Sequence, residues 1–236
     1  RSFPNACVRI GMSATPPTDK FSKLSLGSFL GKQIEYVTAE DLVNEGYLTP
    51  PSIEVIETPE KDGVEYSTMS YPEIYEYYII KNTTRNDFVA KICKNITSKH
   101  AKILVLTKNL EHAKILQSMI PNSYKLEGKD GLLEREAVLK NFVQEEGPSV
   151  IIGTIIFQTG VDIPELTHLV NARGLKSEIA TIQALGRTLR THGNKNQVYI
   201  YDFLDNAPYL YKHSLSRIRA YKSLNFDVTI HGNKKK

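Results

Sequence analysis

Short apolar runs alternate with longer amphipathic segments through most of this 236-residue sequence, and the alternation limits what the chain can fold into. The apolar runs predict strands at 52–57, 102–106, 123–126, 150–153, 167–171 and 197–203. The segments between them predict helices at 83–97, 109–120, 132–143, 178–189 and 208–223. Apolar strands separated by helices are typical of a parallel sheet covered on both faces. The sequence therefore predicts a doubly wound, mostly parallel α/β domain from residue 52 to the end.

The amino-terminal part does not follow this alternation. Residues 7–12 predict a short buried strand that ends before Pro16 and Pro17, because proline cannot donate to a strand ladder. A helix is predicted at 18–30, with Gly31 just beyond its end. The chain starts with Arg1 and leads directly into the apolar run, so we expect it to be a piece of a longer protein.

Composition excludes several classes of protein. With 41% hydrophobic and 24% charged residues the chain is globular rather than disordered or fibrous, and no apolar run is long enough for a membrane helix. The two cysteines form no CxxC pair and the histidines are scattered, so we expect no metal site, no disulfide and a cytoplasmic location. A net charge of +4 permits a polyanionic partner without requiring one.

Four residues of one predicted helix share a face. Gln183, Gly186, Arg187 and Arg190 stand at i, i+3, i+4 and i+7. Two arginines on one face repel each other unless an anion lies on them, and the planar guanidinium group matches phosphate oxygens. Gly186 would permit close approach. The alternative is a surface helix with solvated arginines, and these residues alone favour neither.

A second block joins a strand to a turn. The predicted strand at 150–153 ends at Thr154, and a turn containing Gly160, Asp162 and Pro164 follows. A threonine hydroxyl with exposed loop N–H groups can hold a backbone phosphate, and Asp162 could accept from a ribose hydroxyl or orient an arginine. Taken alone, these residues are more typical of an ordinary turn.

Ligands of such sheets bind beyond the carboxyl ends of the strands. The residues expected there are Thr107-Lys108-Asn109, Glu127-Gly128, Thr154, Asn171 to Gly174, and Asp202.

Aromatic and basic side chains recur in two other segments. Four tyrosines occur close together, at Tyr71, Tyr75, Tyr77 and Tyr78, and a helix face packed on the core is favoured over base stacking. The helix predicted at 208–223 carries Arg217 among other basic residues, and we expect it to cover the sheet with a basic outer face.

These blocks together resemble superfamily 2 helicases and translocases. Ser13-Ala14-Thr15 resembles their motif III, 102–116 motif IV, 150–164 motif V and 183–190 motif VI. Gly128, Arg135 and Phe142 resemble the stretch that follows motif IV. Residues 41–48, 82–86 and 213–221 are similar to the DEAH-type branch that includes UvsW-like and XPB-like DNA helicases.

The resemblance implies a motor of two RecA-like domains with ATP and Mg²⁺ bound between them. Residues 1–17 would be the final strand and motif III of the first domain. Residues 18–51 would be the linker between the domains, and 52–236 the second RecA-like domain.

The resemblance also assigns roles to individual residues. The catalytic group is Arg190, as the arginine finger, with Arg187 and Gln183. The nucleotide-binding group is Gly160, Asp162 and Gly186. The nucleic-acid-binding group is Thr107, Lys108, Arg135 and Thr154. Ser13 and Thr15 would couple the state of ATP to closure of the two domains.

Two motifs of such motors do not occur in this sequence. It contains neither GxxxxGK[ST] nor a DEAD or DEAH box, which bind the phosphates and Mg²⁺ and position the attacking water. We therefore expect the chain not to hydrolyse ATP alone. It would act with an amino-terminal RecA-like domain on forked or branched DNA, in recombination or repair, in a cytoplasm that is the host's if a phage encodes it.

Three alternatives stay open. One is the translocase subunit of a restriction system, and another is a non-enzymatic nucleic-acid-binding or regulatory half-domain. A DEAD-box RNA helicase is less favoured, because motif VI of that group normally begins with histidine where Gln183 stands.

Overall fold

A computed structural model describes residues 8–13, 17, 19–32, 34, 36–58, 64–96, 100–128, 130–154, 163–176, 186, 188–193 and 195–232. Its strands are β1 (Pro51–Thr58), β2 (Lys102–Leu106), β3 (Ser123–Leu126), β4 (Ser149–Gly153), β5 (His168–Asn171), β6 (Val198–Asp205) and β7 (Val228–His231). They form one seven-stranded sheet in the order β3-β4-β2-β5-β6-β1-β7, in which all pairings are parallel.

Helices connect these strands. They are α1 (Lys20–Leu30), α2 (Ala39–Asn44), α3 (Tyr71–Tyr75), α4 (Thr83–Asn95), α5 (Leu110–Met119), α6 (Leu132–Gln144) and α7 (Leu210–Lys222). A 3₁₀ turn (Tyr66–Thr68) precedes α3, and a π-helical turn (Glu76–Ile80) continues it. The Asn82 and Asn109 side chains accept from backbone N–H groups at the starts of α4 and α5, as helix-capping asparagines do. Among the described residues, no helix is long and apolar enough to cross a membrane.

The sheet is covered on both faces. Leu104 and Leu106 of β2 pack in one core cluster with Phe142 of α6, whereas Ile103 and Val105 pack in another with Leu116 of α5. Successive side chains of a strand point to opposite faces, so β2 is apolar throughout because both of its faces are buried. The predicted doubly wound, RecA-like α/β class is confirmed.

Two predictions at the ends of the chain differ from the structure. The expected strand at 7–12 is absent over residues 8–12, and Val8, Ile10 and Met12 are exposed, because no described strand lies beside them to complete a ladder. Conversely, β7 was not predicted. It is a mostly exposed edge strand that pairs with β1 and with no second strand among the described residues, and it therefore lacks the apolar run of a buried strand. The boundaries at residues 17 and 51 stay predictions.

Candidate functional site

Two threonines meet where β2 and β4 end. Leu106 and Gly153 are paired in register, which places Thr107 beside Thr154. The Thr107 N–H donates to the Gly153 carbonyl at 2.9 Å, and both threonines are buried. The carboxyl edge of the sheet thus carries two adjacent hydroxyl groups.

Arg135 reaches the same edge from α6. Its Nη2 donates to the carbonyl oxygen of Gly128, just beyond β3, at 2.5 Å. Its Nε has no hydrogen-bond partner among the described residues, although it is shielded from solvent. Phe142, which is fully buried, fixes α6 against the sheet. The glycine, arginine and phenylalanine of the motif therefore act as one structural unit.

Lys108 completes this group. It is exposed, and its Nζ lies 4.3 Å from the ring centroid of Tyr75 and 5.9 Å from that of Tyr71. The structure thus brings Thr107, Lys108, Thr154 and Arg135 to one edge of the sheet. Three of them follow strands directly or by one residue, and the fourth bonds to a loop that does.

Two buried arginines hold the segment that follows β5. Arg85 Nε lies 2.7 Å from Asp205 Oδ1, and Arg85 Nη1 donates to the carbonyl of Ala172 at 3.1 Å. Arg217 Nη1 donates to the carbonyl of Leu175 at 2.8 Å, and the Tyr75 hydroxyl donates to that of Arg173 at 2.6 Å. Residues 172–175 are therefore fixed by side chains from three helices.

Arg217 also forms a buried ion pair with Asp202. Its Nη2 lies 2.9 Å from Asp202 Oδ1. Burial alone raises the pKa of Asp202, but the charge and hydrogen bonds of Arg217 outweigh burial and leave that pKa below its usual value. Burial disfavours the charged form of Arg217 as well, yet Asp202 holds its pKa above the ordinary value. Both groups are thus charged at neutral pH.

These pairs correct two expectations. Arg217 is not on a basic outer face of α7, because its guanidinium group is drawn inward to Asp202. Asp202 does not follow a strand, because β6 continues to Asp205. Sequence reasoning also missed Arg85 as a structural residue. A signal existed, since Arg85 precedes Val89 by one helical repeat and so lies on the buried face of α4.

Arg190 lies at the opposite edge of the sheet. It forms an antiparallel bridge with Leu48, and the Thr49 N–H donates to the Leu189 carbonyl at 2.7 Å. These residues adjoin the amino ends of β1 and β6, where Pro51 pairs with Val198. A five-residue strand such as β2 spans about 17 Å at the usual rise per residue. The structure therefore separates Arg190 from the group at the carboxyl edge.

Lys195 ties this second region together. Its Nζ donates to the carbonyl oxygens of Pro164, Leu166 and Thr188 at 2.8, 3.2 and 3.0 Å. One half-buried ammonium group thus links the segment before β5 to the backbone of Thr188, two residues before Arg190.

The remaining predicted residues are distributed as follows. Gly186 is helical and exposed, and no described atom lies within 4 Å of the position that a Cβ would take there. Ser13 is exposed. The other predicted residues lie outside the described residues; they are Gln183, Arg187, Gly160, Asp162 and Thr15.

Residues 86–192, which run from the first turn of α4 past β5 to Arg190 and beyond, match the family model of the helicase conserved C-terminal domain. Residues 86–192 form a helicase C-terminal domain. This match, with the fold, confirms the resemblance to the carboxyl-terminal RecA-like domain of superfamily 2 helicases.

Comparison with individual relatives supports the same assignment. The chain is 26% identical to the ATP-dependent DNA helicase uvsW of Enterobacteria phage T4, over 96% of this chain and 49% of that protein. The crystal structure of T4 UvsW superposes with a TM-score of 0.63 and 25% identity, covering 78% of this chain and 41% of that one. A fragment of an HsdR-type restriction-enzyme subunit from Vibrio vulnificus has the same fold, with a TM-score of 0.64, 20% identity and coverage of 85% and 40%. The chain spans about half the length of the curated relatives it matches, or less.

Proposed function

We propose that this chain is the carboxyl-terminal part of an ATP-dependent DNA helicase or translocase. It supplies the arginine finger and half of the nucleic-acid grip. The observation that carries the proposal is the meeting of Thr107, Lys108, Thr154 and Arg135 at one edge of a helicase domain. In the full motor, residues 1–17 close the first RecA-like domain, 18–51 form the linker and 52–236 form the second domain.

The grip is built for phosphates rather than for bases. Hydroxyl groups, a lysine and an arginine match phosphate oxygens, and contacts to the backbone carry no sequence information. The buried ion pairs beneath residues 172–175 keep the carboxyl end of the neighbouring β-strand rigid. The phosphate-binding groups at this edge of the sheet are therefore held in place before the nucleic acid binds. Binding is therefore sequence-tolerant and weakens as salt is added.

Arg190 serves the other ligand, ATP. Its bridge to Leu48 joins it to the proposed linker, and this contact supports a position at the cleft between the two domains. Gly186, one turn earlier, leaves room on the described surface for close approach. Arg187, Gln183, Gly160 and Asp162 complete the nucleotide contacts in this proposal, and Ser13 with Thr15 couples them to closure.

Mg²⁺ is assigned mainly to the partner domain. The described part of the chain contains no cluster of three or more histidine, cysteine or acidic side chains able to hold a metal ion. In this proposal, ATP and the amino-terminal RecA-like domain supply most of the metal's ligands. The metal neutralises phosphate charge, and Arg190 adds stabilisation of the charge that develops on the transferred group.

The proposed cycle follows from this division. ATP closes the cleft, and loss of the γ-phosphate removes the anion that Arg190 holds, so the cleft opens. Each cycle moves the grip at the carboxyl edge relative to the first domain. A forked or branched DNA substrate, in recombination or repair, is part of the proposal. It is supported by the similarity to a phage DNA helicase.

The grip is tested by titrating a forked DNA at several salt concentrations. Lys108→Ala should lower the slope of log affinity against log salt by about 0.7 to 0.9, the value for one phosphate contact. Lys222→Ala is the matched control, because it removes the same exposed charge from the end of α7, near the other edge of the sheet. Equal slopes for both variants would contradict the grip.

The motor is tested by ATP turnover with forked DNA, for the chain alone and mixed with an amino-terminal RecA-like domain. We expect turnover only in the mixture, and its loss on Arg190→Ala. Turnover by the chain alone would contradict the proposed division of labour. DNA binding without turnover in either sample would favour the non-enzymatic half-domain, and turnover on linear duplex without unwinding would favour a restriction-type translocase.

A further inference from the structure

An aromatic cluster extends the carboxyl edge beyond Lys108. The Tyr71 ring lies 6.0 Å from that of Tyr209 in an edge-to-face arrangement and 5.5 Å from that of His213. Lys108 Nζ lies 5.9 Å from the centroid of the same Tyr71 ring. A continuous series of contacts therefore joins a residue of the proposed grip to Tyr209, whose surface is 55% exposed.

The tyrosines of this region divide into two kinds. Tyr75 and Tyr78 are buried, and burial raises the pKa of Tyr78 to about 12, so the expected packing on the core holds for both. Tyr71 is only partly buried, and Tyr209 stands in solvent. Burial lowers the pKa of His213, so its ring is neutral at pH 7 and packs as an uncharged aromatic.

The backbone at Tyr209 has a strained conformation. Its φ is 64° and ψ −45°, and the Leu210 N–H donates to the Pro208 carbonyl at 2.7 Å across it. This is a γ-turn with positive φ, the rarer and more strained of the two forms. Bulky residues seldom occupy such positions, and strain of this kind concentrates at ligand-binding sites.

We propose that Tyr209, supported by Tyr71 and His213, stacks on an unpaired nucleobase of the strand whose phosphates lie on the grip. The proposal rests on the proposed function. The exposed Tyr209 ring is joined through Tyr71 to Lys108, which can neutralise a phosphate. Aromatic faces combined with cations are how proteins bind single strands without sequence preference.

The ring and the grip also lie at a workable separation. Asp205, at the end of β6, is two strands along the sheet from Leu106, at the end of β2, with β5 between them. Neighbouring strands are about 4.8 Å apart, and the pairing register sets Asp205 three residues beyond the level of Leu106, so these ends are about 14 Å apart. The contacts through Tyr71 span that gap, so a base beside Tyr209 and a phosphate on Lys108 can belong to one short stretch of strand.

The experiment compares two oligomers of equal length on the full chain, oligothymidylate and one made entirely of abasic sites. Stacking of a base on an aromatic ring corresponds to about 5- to 150-fold in affinity. The wild type should prefer oligothymidylate by a factor in this range. Tyr209→Gly should abolish the preference and leave binding of the abasic oligomer unchanged, whereas Tyr209→Phe should keep it.

Two controls test whether a lost preference for oligothymidylate reflects unfolding of the variant rather than loss of the ring. Glycine accepts positive φ without strain, so Tyr209→Gly should not lower the melting temperature. Tyr199→Ala is the matched control, because Tyr199 is an exposed tyrosine near the amino end of β6, and it should keep the preference. Quenching of a 2-aminopurine base in the oligomer on binding wild type, but not Tyr209→Gly, is the second readout.

The outcomes separate this inference from the function on which it rests. Equal affinity of the wild type for both oligomers, or a preference that survives in Tyr209→Gly, overturns the stacking site and leaves the phosphate grip intact. Failure of the wild type to bind either oligomer overturns both.

Discussion

Replacing Asp202 by asparagine should destabilise the domain strongly although the side chain keeps its shape. Asp202 is buried and accepts from the Nε and Nη2 of Arg217 at 2.9 Å each, from the Phe203 N–H at 2.7 Å, and from the Tyr221 hydroxyl. Asparagine removes the charge and turns an NH₂ group toward donors. The guanidinium group of Arg217 then stays buried opposite an uncharged partner.

The magnitude follows from the burial of the pair. Removing one partner of a buried ion pair costs about 3–5 kcal/mol. Asp205 Oδ2 lies 3.9 Å from Arg217 Nη2 and offsets part of the loss, so the lower half of that range is expected. For a domain of this size each kcal/mol lowers the melting temperature by about 2–4 °C. Asp202→Asn should therefore melt roughly 10 °C lower than wild type.

The assay is thermal melting followed by circular dichroism, with Glu54→Gln as the matched control. Glu54 loses the same charge from the same sheet, but its partner His231 is exposed, so the change should stay below about 1 kcal/mol. Adding Arg217→Met to Asp202→Asn should recover part of the loss, because no uncompensated charge remains. Similar melting temperatures for Asp202→Asn and Glu54→Gln would refute this reasoning.

Three other predictions follow from charged and titrating groups. Burial lowers the pKa of His112 to about 3 and of His168 to about 4, whereas each binds a proton below about pH 6.5 when unfolded. The free energy of unfolding should therefore be highest above pH 6.5 and should fall as the pH is lowered, by up to about 1.4 kcal/mol per pH unit for each histidine. Urea unfolding measured at several pH values should show a shallower fall for His112→Gln than for the wild type. Lys195→Met should lower the free energy of unfolding by about 2 kcal/mol, since a charged donor to buried carbonyls is lost, and an unchanged urea midpoint would contradict that role. Arg190→Lys in the reconstituted motor should reduce ATP turnover nearly as much as Arg190→Ala, because an ammonium group lacks the fork of a guanidinium; near-normal turnover would mean that charge alone suffices.

The strands were predictable wherever both faces are buried. β2 begins and ends where the pattern places it, and β4 begins one residue earlier than predicted; both are buried throughout. Asn82 and Asn109 mark helix starts through their side-chain oxygens. These signals are local, because burial on two faces requires apolar residues at consecutive positions and a cap requires one residue type at one position.

The features that were missed depend on distant parts of the chain. Arg217 follows Ser214 on the same face of α7, and its burial depends on Asp202 in another element. The edge strand β7 packs too little apolar surface to leave a pattern. The position of Arg190 could have been inferred, because a helix that follows one parallel strand must return to the opposite edge before the next strand begins.

In the proposed motor, the separation of Arg190 from the carboxyl edge would turn a rotation at one edge of the sheet into a displacement at the other. Seven parallel strands with side chains packed on both faces do not bend easily. A rotation of the domain that begins beside Leu48 would therefore move the other edge of the sheet as part of one rigid body. A rigid-body rotation of about 15°, the size known for the subunits of haemoglobin, would carry a point about 17 Å away through roughly 4 Å. The length of the strands would thus set the stroke of the motor, and a domain with longer strands would move its grip farther for the same rotation.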